Sequence, residues 1–279
     1  MNPPPDANPL PPRRMKLVLA YDGRHHSGWQ HVGDGRSVQE QLEAAIAKIL
    51  KSDQLTRVHA SGRTDAGVHA LAQVAHFDVP GDWRMDGAAW TRALNPLLPP
   101  SIRVLETTDA PPGFHARRSS TGKHYRYRLF NGRILPPLDH GVVWHWPWPL
   151  DTKAMTEAAP VFLGEHDFSA FAAFRHDGTD AAPESGRNIR HVWRFDVTVE
   201  GPYVTIDIEG KGFLYKMVRL MVGALVHVGR GSLDGAGLRA LFEARLDKTG
   251  RLIKSPLCAG AEGLTMVEVF YEPRGGDKV

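Results

Sequence analysis

The stretch FLYKMVRLMVGALVHV, residues 213–228, constrains this chain more than any other. Its apolar residues run round nearly the whole circumference of a helix, and such a helix must be enclosed by other elements. It is too short and too charged to cross a bilayer, so the enclosure has to be protein. Lys216 and Arg219 sit inside it, three apart, and therefore share a face. Burying a cation is costly unless an anion accompanies it. Two readings stand. In one, the cations make structural ion pairs or snorkel to the surface. In the other, Arg219 lies beside a catalytic carboxylate or a bound phosphate.

The enclosing elements follow from periodicity. MKLVLAY (15–21) is a β-rich run, and a Gly-rich loop follows it. Val38, Leu42, Ile46, Ile49 and Leu50 then fall on one helical face. Ser37 and Glu40 form a capping-box pair ahead of that helix. LTRVHA (55–60) and LAQVAHFDV (71–79) read as strands joined by SGRTDAGVH. Asp86 caps a second helix, which Pro96 stops, and SIRVLE (101–106) closes the unit. The order is β-α-β-β-α-β, the split βαβ arrangement. The second half repeats the plan in elaborated form. KHYRYRLFN (123–131) is a strand, HGVVWHW another, and a helix lies near 151–163. NIRHVWRFDVTVE and YVTIDIEG make a hairpin across Gly201 and Pro202. The apolar helix, a shorter one over DGAGLRALFEAR, and the closing strand LTMVEVFY (264–271) complete it.

The fold class is therefore α+β, in two lobes. The Pro and Gly cluster at DAPPGF (109–114) marks the boundary, giving an N-terminal lobe over 15–110 and a C-terminal lobe over 111–273. MNPPPDANPLPPRR reads as a flexible tail over 1–14, and 274–279 as another; 175–187 reads as a mobile polar loop. The tail lacks the apolar core of a signal peptide, so a cytoplasmic protein is expected. At 279 residues, with 42% hydrophobic and 23% charged, the chain can bury a sizeable core. A net charge of +3 permits an acidic partner without demanding one. The single cysteine, Cys258, excludes an internal disulfide and reads as a packing residue.

Three groups of residues bear on chemistry. In SGRTDAGVHA (61–70), Ser, Gly, Thr and Asp are all turn formers, and an Arg and an Asp bring charge into the turn. Asp65 is there either as a turn former or as a carboxylate held over a site, with Arg63 favouring its ionised form. In KHYRYRLFN, Lys123, Tyr125 and Tyr127 share one strand face, and His124, Arg126 and Arg128 the other. Tyr125 is either a core aromatic or a stacking surface for a nucleobase, with the basic residues on phosphate. His59, His69 and His76 flank the Asp65 turn. Facing strands could gather them into a zinc site, but no pair has tight ligand spacing.

Taken together, these blocks resemble the tRNA pseudouridine synthase A family. YDGRHHSGWQ followed by SVQEQLEAAI is similar to its N-terminal signature, and SGRTDAGVHA matches its catalytic loop almost residue for residue. ALNPLLPPSIRV, FHARRSSTGKHYRYRLFN, GEHDFSAF, RNIRHV, FLYKMVRLMVGALVHVG and AEGLTMVEVFY follow in the family's order, across roughly 15–272. The resemblance implies a pseudouridine synthase fold. This has two RRM/ferredoxin-like α+β lobes, a central antiparallel sheet and a cleft between the lobes. It implies that Asp65 is the essential carboxylate, Tyr125 the active-site tyrosine, Arg219 the partner of Asp65, and Arg63 a residue that helps extrude the target base. It implies a homodimer acting on tRNA, at uridines 38–40 of the anticodon stem-loop, with no cofactor and no metal. The Pro-rich extension has no counterpart in the family, and 175–187 is a variable region.

The implied reaction breaks the uridine C1′–N1 bond, turns the uracil and joins C5 to C1′. The base must first leave its stack. Asp65 either attacks C1′ or removes a proton from C2′. Two rival readings stand: a tRNA-binding module without catalysis on the same basic and aromatic residues, and a metal-dependent hydrolase built on His59, His69 and His76.

Overall fold

A computed structural model describes residues 10–52, 54–173, 188–243, 255 and 257–273. The expected mobile loop over 175–187, the tail over 274–279 and the first nine residues of the Pro-rich tail lie outside the described residues. The chain forms two compact units. One holds Met1–Ala66 and Ala70–Ser120, the other Gly67–His69 and Thr121–Val279.

The first unit is built on β1 (Arg13–Tyr21), flanked by β3 (His69–Val79) and β4 (Ile102–Asp109). With β2 (His59–Ala60) on β3, all pairs antiparallel, this is the split βαβ order the sequence predicts. β1 starts at Arg13, so the last two residues of MNPPPDANPLPPRR are strand. Arg14 holds Asp78 at 2.7 Å, and Arg13 pairs with Asp109. On β1, Met15, Leu17 and Leu19 alternate into the core and are fully buried. α1 (Val38–Leu50) and α2 (Gly87–Leu94) contribute Leu42, Ile46, Trp90 and Leu94. Each such side chain contributes about 1.5–3 kcal/mol by leaving water. The Ser37–Glu40 capping box and the Asp86 cap both form. The strand expected over 55–60 shrinks to its last two residues. Its backbone is taken by α1: the Val58 N–H donates to Glu43 at 3.0 Å, and Gln39 donates to the Val58 carbonyl at 3.2 Å. The connection after β4 stays with this unit, since the Ala110 N–H donates to the Arg14 carbonyl at 2.9 Å.

In the second unit β5 (Gly122–Phe130) lies between β10 (Leu264–Phe270) and β9 (Tyr203–Gly210). β8 (Ile189–Glu200) and β7 (Gly164–Asp167) continue the sheet beyond β9, antiparallel throughout. Of HGVVWHW only β6 (Trp144–His145) is strand, parallel to β5. Three α-helices, α3 (Thr152–Ala158), α4 (Met217–Gly229) and α5 (Gly235–Glu243), and short 3-10 turns complete the described elements of the unit.

α4 is the enclosed helix: eleven of its residues, from Met217 to Gly229, are buried. It begins at Met217 rather than at 213. Lys216 adopts a left-handed backbone with φ +59° and caps the helix without a side-chain bond. Lys216 therefore precedes the helix, and the expectation that it shares a helical face with Arg219 is corrected. Its ammonium lies 5.1 Å from the Tyr215 ring centre.

Candidate active site

The loop carrying Asp65 is held from several sides inside the first unit. At its entry, the Ser61 N–H donates to the Val74 carbonyl at 2.8 Å and its hydroxyl to Gln73 at 2.7 Å. Gln73, fully buried, donates in turn to the Gly62 carbonyl at 2.9 Å. In the middle, the Thr64 hydroxyl is hydrogen-bonded to that of Tyr21 at 2.9 Å, and the Thr64 carbonyl accepts from the Trp29 N–H at 3.0 Å. Burial pushes the Tyr21 hydroxyl up to about 12, more than its bonds to Thr64 and Gln73 lower it, so it stays protonated at neutral pH. Gly28, beside Trp29, packs against the same backbone. A Cβ there would lie 2.7 Å from the Thr64 carbonyl oxygen and 3.0 Å from the Ala66 nitrogen. The turn reading of SGRTDAGVHA thus holds for the backbone, but it is a turn clamped by three other segments: β3, the end of β1 and residues 28–29. Asp65 is half-buried and Arg63 exposed within it. Tyr21, Gln73 and Gly28 are the supports that sequence reasoning missed. Their only sequence signal is the quoted loop block around Gly28 and the strands next to the turn.

In the second unit, Tyr125 lies on β5 opposite Met266 of β10 and Ile208 of β9. Its ring meets Phe213 edge-on, with centres 5.1 Å apart. Arg219 is half-buried on the third residue of α4. Its Nε–H donates to the Ala259 carbonyl at 2.8 Å, and the Ala259 N–H donates back to the Arg219 carbonyl at 3.0 Å. Arg219 is thereby fixed to the chain before β10. The neighbouring Tyr127 is fully buried, and its hydroxyl donates to the Gly260 carbonyl at 2.7 Å. Burial, reinforced by Glu262, pushes that hydroxyl well above its ordinary range against the opposing effect of Arg219.

The other face of β5 is occupied. His124 and Arg126 both reach Asp207, at 2.6 and 2.9 Å. Burial alone would raise the Asp207 carboxyl, but these two partners outweigh it and hold it at about 2. Arg128 stands 5.9 Å from the Tyr203 ring centre. The expectation that these basic residues serve phosphate gives way, for His124 and Arg126, to structural contacts with Asp207.

The three histidines do not form one group. His59 and His76 face each other in register and stack at 5.1 Å, with His115 4.7 Å from His76. The His69 ring is instead hydrogen-bonded to the Gly141 carbonyl at 3.0 Å. His69 and His76 are seven residues apart on β3, about 23 Å of extended strand. Among the described residues, no three His, Cys, Asp or Glu side chains are arranged to hold a metal ion, and no helix is long and apolar enough to cross a membrane.

The sequence model of the tRNA pseudouridine synthase family matches residues 17–117 and 158–272 of the chain. A tRNA pseudouridine synthase A of Akkermansia muciniphila is 44% identical over 266 residues, covering 95% of this chain and 98% of that protein. One of Methylobacterium nodulans is 42% identical over 92% of this chain and 96% of its own length. One of Geobacter sulfurreducens is 45% identical over 79% of this chain and 86% of its own length.

Proposed function

The chain belongs to the tRNA pseudouridine synthase family, and from that premise we propose that it isomerises uridine to pseudouridine in tRNA, at positions 38–40 of the anticodon stem-loop, with Asp65 as its catalytic carboxylate. The C1′–N1 bond breaks, the uracil turns, C5 bonds to C1′, the C5 proton leaves to solvent, and N1 takes up a proton in its place. The isomerisation consumes no co-substrate, and the family resemblance implies neither a cofactor nor a metal. Asp65 attacks C1′ or takes a proton from C2′; both routes need the same ionised, fixed carboxylate.

The observation that carries this reading is the clamped backbone on either side of Asp65. Thr64 is bonded through both its carbonyl and its hydroxyl, and Gly28 presses on 64–66. A carboxylate that must meet one carbon of an extruded nucleotide needs that kind of preorganisation, because a misplacement of 1 Å can cost about a hundredfold in rate. In the same reading Arg219 and Arg63 orient the carboxylate, Arg63 helps extrude the base, and Tyr125 stacks on it. The enzyme works in the cytoplasm as a homodimer.

The test is direct. Asp65→Ala, incubated with tRNA tritiated at uridine C5, is expected to release no tritium while still retaining tRNA in a filter-binding assay. Release at the wild-type rate would remove Asp65 from the chemistry. An unaltered cellular effect of Asp65→Asn would favour a binding module without catalysis.

A further inference from the structure

Tyr127 takes no part in the reaction just described, yet it is fully buried and its one polar atom is committed to a single partner. That partner belongs to the connection Ala259–Gly263, which leads into β10. The end of the connection packs against the Tyr127 ring: a Cβ on Gly263 would stand 2.7 Å from the ring and 2.6 Å from the Arg128 carbonyl oxygen. Its end is fixed by the Arg128 N–H, which donates to the Gly263 carbonyl at 2.8 Å. Its start is the residue that exchanges two hydrogen bonds with Arg219. Its middle residue, Ala261, comes within 3.1 Å of where a Cβ on Gly67 would stand. Gly67 is two residues along the chain from Asp65.

From this geometry we propose that Tyr127 is a positioning residue. Its hydroxyl fixes the Gly260 carbonyl, the fixed Gly260 sets the neighbouring Ala259 carbonyl, and that carbonyl aims the Arg219 guanidinium through its Nε–H. A phenylalanine would fill the same volume and keep the ring under Gly263, so the hydroxyl alone is under test. Its loss frees the connection to shift, and Arg219 moves with it. Binding of tRNA is spread over many contacts and stays; the rate of the chemical step falls.

This inference rests on the role proposed for Arg219, and the experiment separates the two. Wild type, Tyr127→Phe, Arg219→Ala and the double variant are compared for single-turnover pseudouridine formation in tRNA, for KM and for melting temperature. Tyr127→Phe is expected to lose about tenfold in kcat with KM and melting temperature little changed. In the Arg219→Ala background the same change is expected to cost nothing further, because two residues acting as one unit are not additive. Losses that multiply, an unchanged kcat, or a Tyr127→Phe protein that fails to fold would each overturn the inference. A wild-type protein that forms no pseudouridine would instead overturn the proposed function.

Discussion

Gly28 and Gly33 both hold positive φ, +94° and +84°, in the loop after β1, but they differ in what stands beside them. A Cβ on Gly33 meets nothing within 4 Å, whereas one on Gly28 runs into the backbone of 64–66. The pair therefore separates backbone strain from contact with the Asp65 loop. Alanine at either position forces an L-residue into left-handed backbone, at about 1–2 kcal/mol. Gly33→Ala is expected to lose that stability and keep its kcat. Gly28→Ala must also displace Thr64 and Asp65, and its kcat is expected to fall at least tenfold, by the same positional argument as above. Kinetics and urea unfolding on the two variants check this; equal kcat values would mean the loop tolerates movement. The residue scale is also where the sequence was least legible. The charges of Arg63 and Asp65 stand out, but on physical grounds alone the turn reading outweighs the catalytic one, and only the ordered family blocks reverse that. The hydroxyl of Tyr127 gave no signal, because its partner lies 133 residues away.

At the scale of elements, α4 shows what composition can and cannot give. Its burial was legible, since a helix apolar all round has no face to turn to water. Its start was not, because Lys216 ends the preceding loop in a left-handed conformation with no Ser, Thr, Asp or Asn cap to announce it. β2 failed for a related reason: LTRVHA has strand composition, but side chains of α1 capture its backbone first. Tertiary partners decided both. α4 also contains a glycine that propensity would replace. Alanine in a helix interior is ordinarily better than glycine by about 1 kcal/mol. At Gly223, however, a Cβ would lie 1.8 Å from the Leu257 carbonyl oxygen, which is backbone and cannot swing aside. Gly223→Ala is expected to destabilise by about 2–3 kcal/mol, the range for overpacking. Gly229→Ala, whose Cβ would meet the flexible end of Met155 at 2.8 Å, is expected to cost less. Urea midpoints of the two variants decide it, and a stabilised Gly223→Ala would refute the packing argument.

For the molecule as a whole, the α+β plan was legible because strand alternation and helix spacing agreed along most of the chain. The grouping of Gly67–His69 with the second unit was not, since it depends on contacts far apart in sequence. The response of global stability to pH is another property that no local stretch reveals. His76 is 1% exposed, stacked on His59 and edge-on to His115. Its Nδ1 accepts the Ala116 N–H at 3.2 Å, which requires that nitrogen to be unprotonated. Burial first, then the charges of Arg14, His115 and His59, hold it down from 6.5 to about 4, against Asp78. The unfolded chain thus binds a proton at His76 that the folded chain refuses between those two values. The stability this contributes is complete above pH 6.5 and is lost as pH falls toward 4, by at most about 3 kcal/mol. His76→Gln keeps an acceptor for Ala116 and removes the titration. Urea midpoints measured from pH 7.5 down to about 4.5 are therefore expected to fall steeply for the wild type and to run flatter for His76→Gln. Parallel curves would show that the acid sensitivity arises elsewhere, because no other change was made to the protein.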